Sequence, residues 1–420
     1  MKKIPIIVIL LYIIASCFSQ KANYYKRVFI DAEYFLLYEE YREALPLYIE
    51  IYGVQQNNSN VACRIGECYL NIPSEKRKAI PFLEKASKDI SDEYKIGYFS
   101  EKKAPPEAFY FLGIAYLIDN QIDRAIESFN KYKKYLAPYE KSKLDLANHQ
   151  LKTCNNAKEL MNEPIEIEVT NLGKNINSSF ANIKPVISAN DSVILFTSQL
   201  RFYDAIFYSR WLAKKWIPAS NITPYLGTDG DVQTCSLSPD GNLLFLSKYD
   251  WDNYNIYTSK RENYTWMDIE KFDKTINTNF NETHACITKD GNTIYFVSDR
   301  EGGAGGKDIY KIKKDEEGLW SEAIILPDII NTKYDEETPI ITEDGTLFFS
   351  SQGHYNMGGY DIFYAKKKGD TWETPKNIGY PLNTTDDDLN FMPINNGEAG
   401  YYSLFKREGF GSYDIYRIEF

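Results

Sequence analysis

Histidine is scarce: the 420 residues contain three, His149, His284 and His354. Cysteine is nearly as rare, six in all, at spacings that match no zinc motif. These shortages exclude a His/Cys-built metal motif and a disulfide-built scaffold. Beyond Cys17 there are Cys63, Cys68, Cys154, Cys235 and Cys286, an odd number that cannot pair completely within one chain, so most read as small buried residues. Lys and Arg are outnumbered by Asp and Glu, 48 to 59, for a net charge of −11. With no cationic excess to displace counterions from phosphates, nucleic acid is excluded as a partner. There is no serine nucleophile elbow, no paired-histidine motif and no phosphate loop. The glycine-rich run Gly302–Gly306 sits between two strand patterns, where a phosphate loop would precede a helix. Neither a catalytic activity nor a cofactor is expected.

Aromatic residues are plentiful by contrast. Thirty-four Tyr and 23 Phe suit many half-buried strands. The chain opens with Lys2 and Lys3, an apolar stretch from Ile4 to Ile14, and small residues at Ala15, Ser16 and Ser19. This order reads as an export signal over residues 1–19, too short for the roughly 20 residues that span a bilayer. Two processing routes fit. Ile14-Ala15-Ser16-Cys17 offers Cys17 as a lipidation site, and Cys17-Phe18-Ser19 before Gln20 suits ordinary cleavage. The expected location is the periplasm or the outer membrane, reached in the first case through a lipid anchor.

Residues 24–162 carry helical periodicity with an internal repeat. Its clearest copy has Phe109, Leu112, Gly113, Tyr116, Ala125 and Phe129; weaker copies have Gly66, Tyr69, Ala79 and Ala86, and Ala32, Phe35, Ala44 and Tyr48. Small residues at two positions let paired helices approach while large ones fill around them. This pattern resembles the TPR repeat. Asp89–Pro106 reads as an inserted loop, and Tyr139–Met161 as a closing helix.

From Pro164 the pattern changes to short strands and turns. Turn pairs recur at Asn190-Asp191, Asp240-Gly241, Asp290-Gly291, Asp344-Gly345 and Asn396-Gly397, each followed by an apolar strand. An Asp/Asn-Ile-aromatic triplet begins at Asn255, Asp308, Asp361 and Asp414, at intervals of 53 residues, with a looser copy at Asp204; Trp216, Trp266, Trp320 and Trp372 follow. Such units are the signature of propeller blades. Ser238-Pro239-Asp240-Gly241 and Asp308-Ile309-Tyr310 resemble the TolB-type, WD-like propeller repeat. The last unit lacks its outer strand, and Asn171–Asn177 aligns with Asn377–Asn383. A strand within 165–177 is therefore expected to close a five-bladed ring over 164–420. The fold class is α+β and multidomain: a TPR-type helical solenoid, then an all-β five-bladed propeller.

Asn182, Glu282, Glu336 and Asp388 lie eight positions before their turns, with Asp231 beside the equivalent Val232. If the first strand of each blade lines the axis, these five are candidate channel-mouth binding residues, with strand capping as the competing role. The layout of signal, TPR array and propeller resembles envelope proteins of type IX secretion and gliding, near their peptidoglycan-anchoring subunit but without its OmpA-like domain. The resemblance implies a scaffold that binds other envelope proteins. A propeller that recognises a glycan or peptide is the alternative, and a hydrolase using the mouth acids a third.

Overall fold

The computed structural model describes residues 6–73, 75–369 and 371–420, with side chains for residue 21 and from residue 23 onward. The export-signal reading of residues 1–19, and Cys17 as a lipidation site, fall outside these side chains. Two compact units divide at Asn155/Asn156, inside the last helix.

Seven α-helices lie among the described residues, six in the first unit and the seventh running across the division: α1 Ile6–Leu37, α2 Tyr41–Val54, α3 Ser59–Leu70, α4 Ala79–Ala86, α5 Glu107–Ile118, α6 Ile122–Tyr135 and α7 Lys141–Asn162. α3 begins where Asn58 accepts a hydrogen bond from the Val61 N–H at 3.1 Å, satisfying one orphan donor of the first turn. α6 buries Ala125, Ser128, Phe129 and Tyr132, one face of a 3.6-residue period. Two glycines set the helix spacing. A Cβ on Gly66 would sit 2.4 Å from Leu83 Cγ, and one on Gly113 would sit 2.5 Å from Phe129 Cε1. The segment between α4 and α5 is irregular but packed. Tyr94 donates to Asn60 Oδ1 at 2.7 Å, and the Phe99 ring lies 5.7 Å from Phe29.

The second unit is a five-bladed β-propeller. Blade one pairs Ala181–Ile187, Val193–Gln199, Asp204–Leu212 and Ser220–Asn221 in order; blade two pairs Val232–Leu237, Leu243–Asp250, Asn253–Glu262 and Glu270–Lys271. Blade three has Glu282–Ile287, Thr293–Ser298, Asp308–Lys313 and Ile324–Ile325; blade four has Glu336–Ile341, Leu347–Ser351, Asp361–Ala365 and Lys376–Asn377. The second residue of each first hairpin turn is left-handed: Asp191 (φ 55°), Gly241 (75°), Gly291 (70°), Gly345 (82°) and Gly397 (94°). That conformation is why Asn-Gly and Asp-Gly pairs mark the blades. Each second strand puts at least one ring into the core, Phe196, Phe245, Phe296, Phe349 and Tyr401 among them.

Blade five consists of Met392–Ile394, Ala399–Leu404 and Asp414–Glu419, and its fourth strand is Glu168–Asn171, paired Glu168 to Glu419 and Asn171 to Tyr416. The side chains repeat the equivalence. Asn171 Nδ2 donates to Asp414 Oδ2 at 3.0 Å as Asn377 Nδ2 does to Asp361 Oδ2 at 2.8 Å. Where other blades use Trp, Val169 of this strand and Ile167 just before it pack against an apolar cluster that includes Phe348, Ile362 and Tyr416. A buried Asn also clamps four blades. Asn277, Asn331, Asn383 and Asn177 each accept from the N–H, and donate to the C=O, of Ile256, Ile309, Ile362 and Ile415 respectively.

Candidate binding site at the propeller axis

The first strand of each of blades one to four carries a register shift just inside its start. In these four blades the shift falls at the residue six positions before the turn, Lys184, Thr234, His284 and Thr338, and Asn390 holds the same position in blade five. Lys184 (φ 52°), Thr338 (54°) and Asn390 (64°) are left-handed, a strained conformation for a β-branched residue such as Thr338. Lys184, Thr234, Thr338 and Asn390 enclose a cavity of only about 10 Å³, about the room one water needs. Side chains thus plug the axis.

Four of the expected mouth residues lie in the wall beside this plug, buried and bonded to the loop that precedes each first strand. Glu282 accepts from the Thr278 N–H (2.9 Å) and hydroxyl (2.7 Å), from Ser298 Oγ (2.8 Å) and from Arg300 (3.2 Å). Glu336 accepts from the Thr332 N–H (2.7 Å) and hydroxyl (2.8 Å) and from Ser351 Oγ (2.7 Å). Asp388 accepts from the Thr384 N–H (2.5 Å) and from Tyr402 (2.9 Å). Asn182 accepts from the Ser178 N–H (2.7 Å) and donates to Ser198 (3.1 Å). The geometry is a strand cap repeated around the ring. Asp231 is the exception: it is exposed and left-handed (φ 55°), and it accepts from the Asp204 N–H at 3.3 Å. Burial pushes the Glu336 carboxyl up to about 7 and the Asp388 carboxyl up to about 8, hydrogen bonds opposing it only in part.

The residue after the cap does more than sequence reasoning assigned. Glu337 is buried; its Oε2 accepts from His284 Nδ1 at 2.7 Å and from Thr283 at 2.9 Å, and its Oε1 meets Lys307 Nζ at 2.6 Å. His284 Nε2 lies 3.2 Å from the Asn390 amide. Burial alone would raise Glu337, but His284 and Lys307 outweigh it and hold the carboxyl well below its usual range. Burial pushes His284 and Lys184 down, while Glu337 pulls Lys307 up against its own burial. A triplet such as Glu336-Glu337-Thr338 gives no sequence signal for this role, because the shift in register decides which side chain turns inward.

Around this end of the axis stand exposed rings. Phe202 and Trp251, in the loops between second and third strands of blades one and two, are 85% and 94% exposed. Tyr249 and Tyr254 flank Trp251 as an edge-to-face pair at 5.3 Å, and Phe405 and Phe410 are exposed in the matching loop of blade five. At the opposite end, beside the hairpin turns, a funnel of about 250 Å³ is walled by Ile187, Leu237, Ile287, Ile341 and Pro393, with the Lys289–Glu343 ion pair (2.8 Å) on its rim. Among the described residues no cluster of His, Cys, Asp or Glu has metal-holding geometry, and no helix is long and apolar enough to cross a membrane.

No family model and no curated protein matches the chain. Among solved structures, TolB from Acinetobacter baumannii is 16% identical over 57% of this chain and 55% of its own, with a TM-score of 0.38. A thermostable family-43 glycoside hydrolase is 15% identical over 58% and 90%, with a TM-score of 0.40. The catalytic domain of a GH62 α-L-arabinofuranosidase from Coprinopsis cinerea is 10% identical over 61% and 98%, with a TM-score of 0.37. The chain thus spans about half the length of the Acinetobacter TolB, 55%. At these similarities none of the three carries an argument about activity.

Proposed function

We propose that the protein is a non-enzymatic adaptor of the cell envelope that gathers other proteins. In this reading it is exported by its N-terminal segment, with Cys17 as a candidate lipid anchor, and it serves machinery of the type IX secretion or gliding kind. The helical unit acts as a TPR-type groove, and the close helix approach at Gly66 and Gly113 supports that reading. One observation carries the proposal for the propeller. The loop face around the axis exposes Phe202, Trp251, Phe405 and Phe410, the large rings that anchor protein interfaces. The acids beneath this face are occupied, Glu282 by Arg300 and Glu337 by Lys307, which disfavours the hydrolase reading.

A glycan- or peptide-binding propeller is the second reading, favoured by Lys184 and exposed Asp231 at the same end. The mature chain, used as bait on envelope extracts with mass-spectrometric identification, tests both. Under the adaptor reading a defined partner is captured and the Phe202→Ala/Trp251→Ala variant loses it at least tenfold, since each ring at an interface centre is worth about 2 kcal/mol or more. Capture unchanged by that variant would refute the face assignment. Turnover of a glycan that Glu337→Gln abolishes would refute the non-enzymatic reading.

A further inference from the structure

A separate cavity of about 560 Å³ opens at the seam between the fifth and first blades, within the roughly 300–1,000 Å³ of small-ligand clefts. Both ends of the ring build it. Asn171 and Asn175 come from the closing segment, Asp191 and the Trp211–Trp216 hairpin from blade one, and Tyr401 and Arg417 from blade five.

Three features point to a ligand. First, Trp211 lies edge-to-face on buried Trp216, with centroids 5.3 Å apart at 72°, and stays 44% exposed. One indole fixes the other and leaves it a rigid stacking surface. Second, the turn that presents it is Ala213-Lys214, both left-handed (φ 50° and 62°), a tight hairpin shared with Asn263-Tyr264 of blade two, and it sets Lys214 and Lys215 beside the indole at the cavity. Third, the charges are unbalanced. Lys214, Lys215 and Arg417 face a single lining carboxylate, Asp191, whose Oδ1 accepts from Tyr401 at 2.6 Å. Arg417 Nη1 meets Glu419 Oε1 at 2.7 Å and Nη2 lies 4.0 Å from Asp191 Oδ2, yet its Nε is buried with no hydrogen-bond partner. A buried donor left idle is costly unless something else engages it.

We propose that this seam binds an acidic oligosaccharide, one pyranose ring stacking on Trp211 while its carboxylate engages Lys215 and Arg417. The apolar C–H face of a pyranose suits an indole. Its ring hydroxyls find Asn175 and Asp191, and a carboxylate gains charge-assisted hydrogen bonds from guanidinium and ammonium donors. The inference is independent of the adaptor reading, since the cavity lies away from the exposed rings around the axis.

The test is titration of the full chain, followed by tryptophan fluorescence and thermal shift. The probes are tetragalacturonate and a hyaluronan tetrasaccharide, with uncharged cellotetraose as comparison. At least one acidic probe should give a saturable fluorescence change and a raised Tm, with affinity at least tenfold above that for cellotetraose. Trp211→Ala should weaken binding at least tenfold. Because Trp211 also packs on Trp216, the exposed pair Lys214→Ser/Lys215→Ser serves as a second variant. It should weaken acidic-probe binding at least fivefold with the unliganded Tm unchanged. No saturable response to either acidic probe, equal binding of cellotetraose, or binding that survives in both variants would each overturn the proposal.

Discussion

Replacing Glu337 with Gln removes one negative charge from the middle of the propeller while nearly keeping its shape. The carboxylate is 5% exposed and holds Lys307 at 2.6 Å, His284 at 2.7 Å and Thr283 at 2.9 Å. Removing one partner of a buried pair costs about 3–5 kcal/mol, because the other charge is left in a poor dielectric. The Lys307 side chain keeps 32% exposure and can partly rehydrate, so the lower end applies, about 3 kcal/mol. For a domain of this size that is a Tm fall of about 6 °C or somewhat more. The sign with pH follows from the depressed carboxyl. Its folded value lies below the usual 4.5, so its contribution is complete above the unfolded value and is lost as pH falls from there toward the folded value. Urea unfolding followed by tryptophan fluorescence should therefore show a large wild-type advantage at pH 7 that shrinks by pH 3.5. Adding Lys307→Met to Glu337→Gln should recover much of the loss. A pH 7 deficit below about 1 kcal/mol, the size of an exposed pair, or a deficit independent of pH, would refute the reasoning.

Gly113→Ala should destabilise the helical unit by about 1–3 kcal/mol through overpacking on Phe129, read as a lowered first transition in calorimetry with the propeller transition unmoved. Glu336 and Asp388 have raised carboxyls, near 7 and near 8, so their protonated forms stabilise the fold at low pH and that benefit is lost as pH rises through those values. The Tm should fall between about pH 4 and 8 and level off above, and Glu336→Gln should flatten that fall in a thermal scan. Deleting residues 164–177 should open the ring and expose the Asp414–Glu419 edge; light scattering should report self-association and the Tm should drop, and a monomer of unchanged Tm would contradict this. Cys63, Cys68, Cys154, Cys235 and Cys286 are buried thiols outside any disulfide, with Cys68 and Cys286 pushed up to about 12. They should resist a thiol reagent in the native protein and react promptly in urea.

Local chemistry explains what could be read in advance. The blades announce themselves because left-handed turn residues demand Gly, Asn or Asp, and because Trp and the Asp-Ile-aromatic triplet recur in register. Gly66 and Gly113 were equally legible, since a helix contact at 2.4–2.5 Å from a notional Cβ leaves glycine alone. The axis was harder. Counting back from the turns found Glu282 and Glu336 but missed Glu337, because a one-residue shift in register exchanges which neighbour faces inward. The Asn277, Asn331 and Asn383 clamps were also missed; an isolated Asn in a loop looks like any turn residue until its partner backbone, 21 or 22 positions earlier, is known. The Trp211 seam joins residues more than 200 positions apart, such as Asp191 and Arg417, and no local pattern marks such a pairing.

The strand Glu168–Asn171 pairs only with Asp414–Glu419, and this sets a timetable. As the chain emerges from a ribosome, the first propeller strand is made long before the strand it pairs with. At about 5–20 residues per second, the early strand waits on the order of ten seconds or more with its backbone donors unpaired. Closing so long a loop carries a large entropic cost before any contact rewards it. Blades one to four can form as hairpins while synthesis continues, but the ring cannot lock until the Asp414–Glu419 strand has been made. The propeller must therefore stay open until then, and completion of that strand, more than any single blade, sets when it becomes resistant to proteolysis.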